Sequence, residues 1–137
     1  PLSNRIFHVG PLGAGLVMKV INNAMIQAYF CGLNELMPLA KRAGLSLETA
    51  MGILTGGPAS MPMIKDRLPR ILGHDDSVGF AIEAVAKDSD VFRRVVEAHD
   101  LPAPLLTLFG KQARAAVADG LGGEDAGRMA THAYEKG

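Results

Sequence analysis

A chain of 137 residues with 48% apolar side chains has material for one hydrophobic core and fits a single domain. Fourteen basic and fourteen acidic side chains cancel, which argues against nucleic acid or a membrane surface as partner, since both favour a basic excess. One cysteine, Cys31, sits in an apolar stretch; it argues against a disulfide framework, fits a reduced, cytoplasmic compartment, and reads as a small core hydrophobe.

The opening PLSNRIFHVG has no long apolar core behind a basic cap, so no signal peptide is expected there. Aromatic residues make up only 5% and tryptophan is absent, while alanine, leucine, methionine and glycine dominate, a mixture that favours helix packing over sheets. The exception is Arg5, Ile6, Phe7, His8 and Val9, a short run of β-formers ending at Gly10. A lone strand is not stable, so this one is expected to belong to a sheet supplied from elsewhere.

Residues 12–43 read as one long helix, opened by glycines and closed by Gly44. Between Leu16 and Leu39 its only charges are Lys19 and Glu35. A helix apolar nearly all round must be buried on most sides, more than one small domain provides, so it is expected to pack between domains or subunits. A transmembrane reading is disfavoured by Lys19, Asn22, Asn23, Gln27, Asn34 and Glu35, which are expensive in lipid. Pro38 removes the hydrogen bond to the Asn34 carbonyl, and a kink or local break is expected there.

Ser46 is placed to cap a short helix running to about Leu54, and the segment 55–60 breaks it. The next helix has Pro62 in its first turn and is expected to stop before Pro69. A polar loop, 73–79, leads to a helix over 80–99, where Ile82, Val85, Val91, Phe92 and Val96 recur at helical spacing. Residues 104–119 form a further helix ended by glycines, and Asp125 is placed to start the last one, which ends near Tyr134.

Chemistry concentrates at the start of the long helix. In HVGPLGAGLVMKVINN, Gly10, Gly13 and Gly15 precede Lys19, and Asn22 and Asn23 follow it at i+3 and i+4, which brings one ammonium and two carboxamides to one face. A lysine on an apolar helix is held out of water, which loosens its proton and suits it to proton transfer near neutral pH. The asparagines offer donors and an acceptor for a substrate carboxylate or hydroxyl. The glycines let a ligand or another backbone approach the helix N-terminus. Their spacing, G-x-x-G-x-G, is the reverse of the dinucleotide fingerprint and is not read as a Rossmann phosphate loop. On these residues alone, a snorkelling lysine over packing asparagines is an equally open reading.

Gly10, Gly13, Gly15, Lys19, Asn22 and Asn23 resemble the G-x-x-G-x-G-x-x-x-K-x-x-N-N signature of the 3-hydroxyisobutyrate dehydrogenase family, the β-hydroxyacid dehydrogenases, which includes tartronate semialdehyde reductases. Gly79 and Phe80 with Lys87 and Asp88 resemble its G-F-x-x-x-x-x-x-K-D segment, and Gly56, Gly57, Ala59 and Ser60 its G-G-x-A-S loop. The resemblance implies an all-α fold, a helical bundle like the C-terminal domain of 6-phosphogluconate dehydrogenase, built around one long N-terminal helix. It implies that residues 1–10 are a remnant of the last strand of a missing N-terminal Rossmann domain, and that 11–137 are a catalytic and dimerisation domain.

The same resemblance implies NAD or NADP as cofactor, a small 3-hydroxy acid or its semialdehyde as substrate, and a homo-oligomer. Lys19 would be the general acid or base, and Asn23 and Asn22 would hold substrate. Lys87, Phe80 and Gly15 would contact cofactor, Lys87 at a phosphate or the ribose-nicotinamide edge. Without the resemblance Lys87 reads as a solvated helix charge and Phe80 equally as a core aromatic. Asp88, one position on, is expected to point elsewhere on its helix. Choice between NAD and NADP follows the second strand of the missing domain and is not encoded here. His8, His74, His99 and His132 lack ligand spacing for a metal, and Ser60 lacks a base to make it a nucleophile. A reading of a different class is a helical association module whose lysine site has no catalytic role.

Overall fold

A computed structural model describes residues 5–137. Helix-forming segments separated by glycine, proline and short polar loops give six α-helices: α1 (Ala14–Arg42), α2 (Leu47–Gly56), α3 (Pro62–Ile71), α4 (Ile82–Glu97), α5 (Pro104–Ala116) and α6 (Arg128–Glu135). Several ends follow from local chemistry. Gly13 precedes α1 with φ 94, a left-handed conformation that disfavours any side chain. Gly44, at φ 77, closes the same helix, and the Leu45 N–H returns to the Ala40 carbonyl at 3.0 Å. The Ser46 hydroxyl accepts the Thr49 N–H at 3.0 Å and caps α2. Pro62 and Pro104 stand in the first turns of α3 and α5.

One proline expectation is overturned: α3 runs past Pro69 to Ile71. At Pro38 there is no break, and α1 continues to Arg42 as one element. In each case the missing N–H is outweighed by burial on both sides, from Leu33, Met37 and Ala40 in α1 and from Ile64 and Ile71 in α3. α2 likewise extends to Gly56 rather than stopping at Leu54, with the Thr55 hydroxyl donating to the Met51 carbonyl at 2.8 Å. After α5 the chain runs into a wide turn, Val117–Leu121, hereafter the π-helical turn, which Gly120 breaks with φ 91, the left-handed glycine end expected of this helix.

The β-prone run at residues 5–9 forms no strand. Strands are held by ladder bonds to a neighbour, and the described part of this chain offers none. Residues 1–4, the rest of the expected strand remnant, lie outside the described residues.

α1 is the central helix and packs against α4, α5 and α6. Phe30, Met37, Met51, Ile64, Ile71 and Phe109 are among the residues of the main core, and a smaller cluster joins Val20, Phe92 and Leu106. Cys31 lies in the main core, where burial and the nearby Glu35 carboxylate push its thiol above the ordinary range. By length and composition α1 is also apolar enough to cross a membrane, but the face it turns to α4, α5 and α6 carries core residues. Ile21, Met25, Leu36 and Leu39 on its other faces are exposed, so the burial expected of this helix is only partly supplied by the described residues.

Candidate active site

Side chains four apart on a helix stack on one face, and Lys19, Asn23 and Gln27 follow each other at that interval along α1. All three line a cleft of ≈ 410 Å³ enclosed by α1, α3, α4, α5 and the Gly79–Phe80 loop. Phe30, Val85, Phe92 and Phe109 give it an apolar floor; Lys19, Asn23, Arg67 and Asp88 give it polar walls. A cleft that is mostly apolar with a few convergent polar groups is the usual form of a small-molecule site.

Of the residues singled out from sequence, Lys19, Asn23 and Phe80 come together here. Lys19 is exposed, contrary to the expectation that its helix would hold it out of water. Among the described residues nothing covers Lys19 at the start of α1, and Leu12, just before the helix, and Leu16, in its first turn, are exposed as well. Asn22 does not line the cleft; its Nδ2 donates to Asn23 Oδ1 at 3.2 Å, so it orients its neighbour instead. With its oxygen engaged, Asn23 is left with its amide N–H groups for a ligand.

Gly15 is outside the lining, and a Cβ there would meet only Val9 Cγ2 at 3.9 Å, so no close approach demands glycine within this chain. None of the residues of the 56–60 loop lines the cleft either. On α4 the two adjacent charges exchange their expected places: Asp88 lines the cleft, whereas Lys87 is exposed outside it. Successive positions on a helix lie about 100° apart, and the burial of Val85 and Ser89 turns the Asp88 side inward.

The Gly79–Phe80 loop is held from beneath by Asp125. This carboxylate is 3% exposed, pairs with Arg67, and accepts the N–H groups of Gly79 at 2.9 Å and Phe80 at 3.2 Å through Oδ2. Its other oxygen accepts the Gly127 N–H at 2.9 Å. Asp125 also opens the turn into the last helix, as its place in the sequence suggested: its carbonyl accepts the Arg128 N–H at 2.9 Å, and regular α6 follows from Arg128. Backbone bonds from Ile82 N–H to the Glu124 carbonyl, 3.0 Å, and from Ala126 N–H to the Phe80 carbonyl, 2.9 Å, flank it. The Arg67 guanidinium lies so close to Gly79 that a Cβ there would sit 3.0 Å from Nη1, which accounts for the glycine. Phe80, 40% exposed, is thereby presented at the mouth of the cleft rather than packed in the core.

Sequence reasoning missed Arg67 and Asp125, whose placement depends on a contact across 58 residues. Gln27 was within its reach, since it continues the Lys19 and Asn23 spacing. Among the described residues no group of three or more His, Cys, Asp or Glu is placed to hold a metal ion.

Residues 13–133 match the family model described as NAD-binding of NADP-dependent 3-hydroxyisobutyrate dehydrogenase. The chain is similar to 2-(hydroxymethyl)glutarate dehydrogenase of Eubacterium barkeri, 27% identical over 88% of this chain and 40% of that protein. It is also similar to mitochondrial 3-hydroxyisobutyrate dehydrogenase of Drosophila melanogaster, 28% identical over 90% of this chain and 40% of that protein. L-threonate dehydrogenase of Cupriavidus necator is 25% identical over 90% of this chain and 42% of that protein. A crystal structure of 3-hydroxyisobutyrate dehydrogenase from Salmonella typhimurium, 24% identical, superposes with a TM-score of 0.77 over 88% of this chain and 42% of that one, and shares the helical fold. The chain thus spans about two fifths of the length of these relatives. Since the matched stretch takes in the Lys19 turn, the 56–60 loop and the 79–88 segment in one unbroken run, the chain belongs to the 3-hydroxyisobutyrate dehydrogenase family.

Proposed function

We propose that this chain is the substrate- and proton-handling domain of an NAD(P)-dependent β-hydroxyacid dehydrogenase. The observation that carries the reading is the convergence of Lys19, Asn23, Phe80 and Asp88, from two well-separated parts of the sequence, on one cleft. The relatives' names point to small hydroxy acids, and a 3-hydroxy acid or its semialdehyde is the substrate class proposed here.

Lys19 Nζ would take the proton of the substrate hydroxyl during oxidation, or return it to the carbonyl oxygen during reduction. Asn23, steadied by Asn22, would hold the substrate carboxylate or hydroxyl through its N–H groups. The donor set here fits one end of a nicotinamide cofactor: Phe80 offers a partly open ring at the cleft mouth, and Lys87 offers an exposed cation on the outer side of α4 for a phosphate or ribose edge. NAD or NADP, when bound, supplies the hydride acceptor or donor.

A phosphate-binding strand, glycine-rich turn and helix are absent from the described residues, so the rest of the cofactor site is assigned to a Rossmann domain upstream. That domain, together with a second copy of the protein, would cover the exposed faces of α1 and give Lys19 the dry setting that this chain does not provide. A reduced compartment such as the cytoplasm suits the lone Cys31 thiol. The exposed apolar face of α1 also favours a second reading, an association module without catalysis.

One experiment separates the two. In the full-length protein supplied with NAD or NADP and a three- or four-carbon 3-hydroxy acid, Lys19→Ala is expected to lower kcat by about 10²–10⁴-fold with an unchanged circular dichroism spectrum. Undiminished turnover in that variant would remove the catalytic assignment.

A further inference from the structure

The stripe of polar side chains on α1 does not end at Asn23. Gln27 lies one turn further, and from Lys19 to Gln27 the stripe covers about 12 Å of helix at 1.5 Å per residue. Gln27 is 7% exposed and lines the cleft on its apolar side, near Phe30 and Phe92.

One end of its carboxamide is fixed. Ser89, on α4 and fully buried, places Oγ 3.0 Å from Gln27 Oε1 and 2.9 Å from the Val85 carbonyl. The single Ser89 hydroxyl proton is shared between these two acceptors, and the share directed at Oε1 orients the glutamine. The other end, Nε2, has no hydrogen-bond partner among the described residues. It is not sealed off either: the enclosed polar atoms left without a partner are Tyr29 Oη and Asn34 Oδ1. A nearly buried amide over an aromatic floor, oriented at one end and unpaired at the other, is costly unless something in the cleft accepts from it. Arg67, also in the lining, is already committed to Asp125 and is less suited to that task.

We infer that Gln27 is a specificity-determining residue. Its Nε2 donates to an acceptor oxygen on the far end of the bound molecule, so the cleft selects hydroxy acids that carry a second oxygen-bearing group, a carboxylate or a hydroxyl, over those ending in a methyl group. Gln27 lies about 6 Å along the helix axis from Asn23, within the reach of a short carbon chain held at both ends. The dehydrogenase reading supplies the substrate class, while the contact itself is a matter of binding, so the two are tested separately.

For the full-length protein, kcat/KM is measured on two 3-hydroxy acids that differ only in ending with a carboxylate or a methyl group, in wild type, Gln27→Leu and Gln27→Glu. Binding of the unreactive probes glutarate and butyrate is followed in parallel by titration calorimetry. The wild type is expected to prefer the carboxylate-ended acid. Gln27→Leu, close to the same shape, should reduce that preference by about 10–100-fold, mainly through KM, and Gln27→Glu should reduce it further by charge repulsion. A preference that is unchanged in both variants, or absent in the wild type, overturns the inference. If the wild type turns over no hydroxy acid, the dehydrogenase reading fails and the titrations decide alone. A glutarate preference lost in Gln27→Leu then supports the contact, and one that persists or never existed overturns it.

Discussion

Asp125 illustrates how a residue away from the cleft surface shapes it. Its carboxylate neutralises Arg67, 11% exposed, and accepts two backbone N–H groups of the loop that carries Phe80. Ion pairs this deep add little net stability compared with apolar packing, yet removing one partner strands the other. Asp125→Ala is therefore expected to destabilise the fold by about 3–5 kcal/mol in urea denaturation. Asp125→Asn, which keeps an acceptor for the loop, should cost less, and equal losses in the two variants would count against the loop's dependence on this side chain. The same scale explains why the sequence led to Lys87 and not to Asp88. Two adjacent charges on a helix are indistinguishable until the burial of Val85 and Ser89 shows which side faces inward. Lys19, Asn22 and Asn23 were legible because their relation is local: i, i+3 and i+4 share a face on any α-helix.

Among elements, the junction of the π-helical turn with α6 carries a pH dependence. Asp119, on the turn, is held below the ordinary carboxylate range by its hydrogen bond to Lys136 and next by that to His132, both from the C-terminal end of the chain. A carboxylate whose pKa is depressed by folding contributes stability above its unfolded value, and that contribution is lost as pH falls through the lower folded value. The window thus lies at and below about pH 3.8. The group is fully exposed and solvent screens the contact, so a local effect is expected. Protection of the α6 amides, taken relative to the intrinsic exchange rate at each pH, should fall as the pH is lowered through this window, and Asp119→Asn should show the lower protection already at neutral pH. An acid response identical in the variant would place its origin elsewhere. Element boundaries set by a cap, such as Ser46 and Gly44, could be read in sequence. Those set by proline could not, because the burial of Met37 and Ile71 is a tertiary quantity that outweighs one lost hydrogen bond.

For the whole molecule, the unresolved balance is in α1. Ile21, Met25, Leu36 and Leu39 lie exposed on a helix whose opposite side is core. Contiguous apolar surface of this kind is covered in most stable proteins, here on the proposed reading by an upstream domain and a second copy. In analytical ultracentrifugation the 137-residue chain is expected to self-associate, and Leu36→Glu with Leu39→Glu to shift it toward monomer; a monomer at high concentration without substitution would sink the idea.

Composition and spacing determined by themselves that this protein is helical, that its longest helix is too apolar for one small domain, and that Lys19 and Asn23 share a face on it. Those properties are carried by periodicity and by caps within a few residues. Tertiary structure alone decided that Asp88 and not Lys87 enters the cleft, that Arg67 and Asp125 meet beneath Phe80, and that Gln27 is oriented by Ser89, 62 residues away. Each of these depends on which faces of separate helices come into contact, and that is settled by how the whole set of apolar stripes packs, not by any one of them.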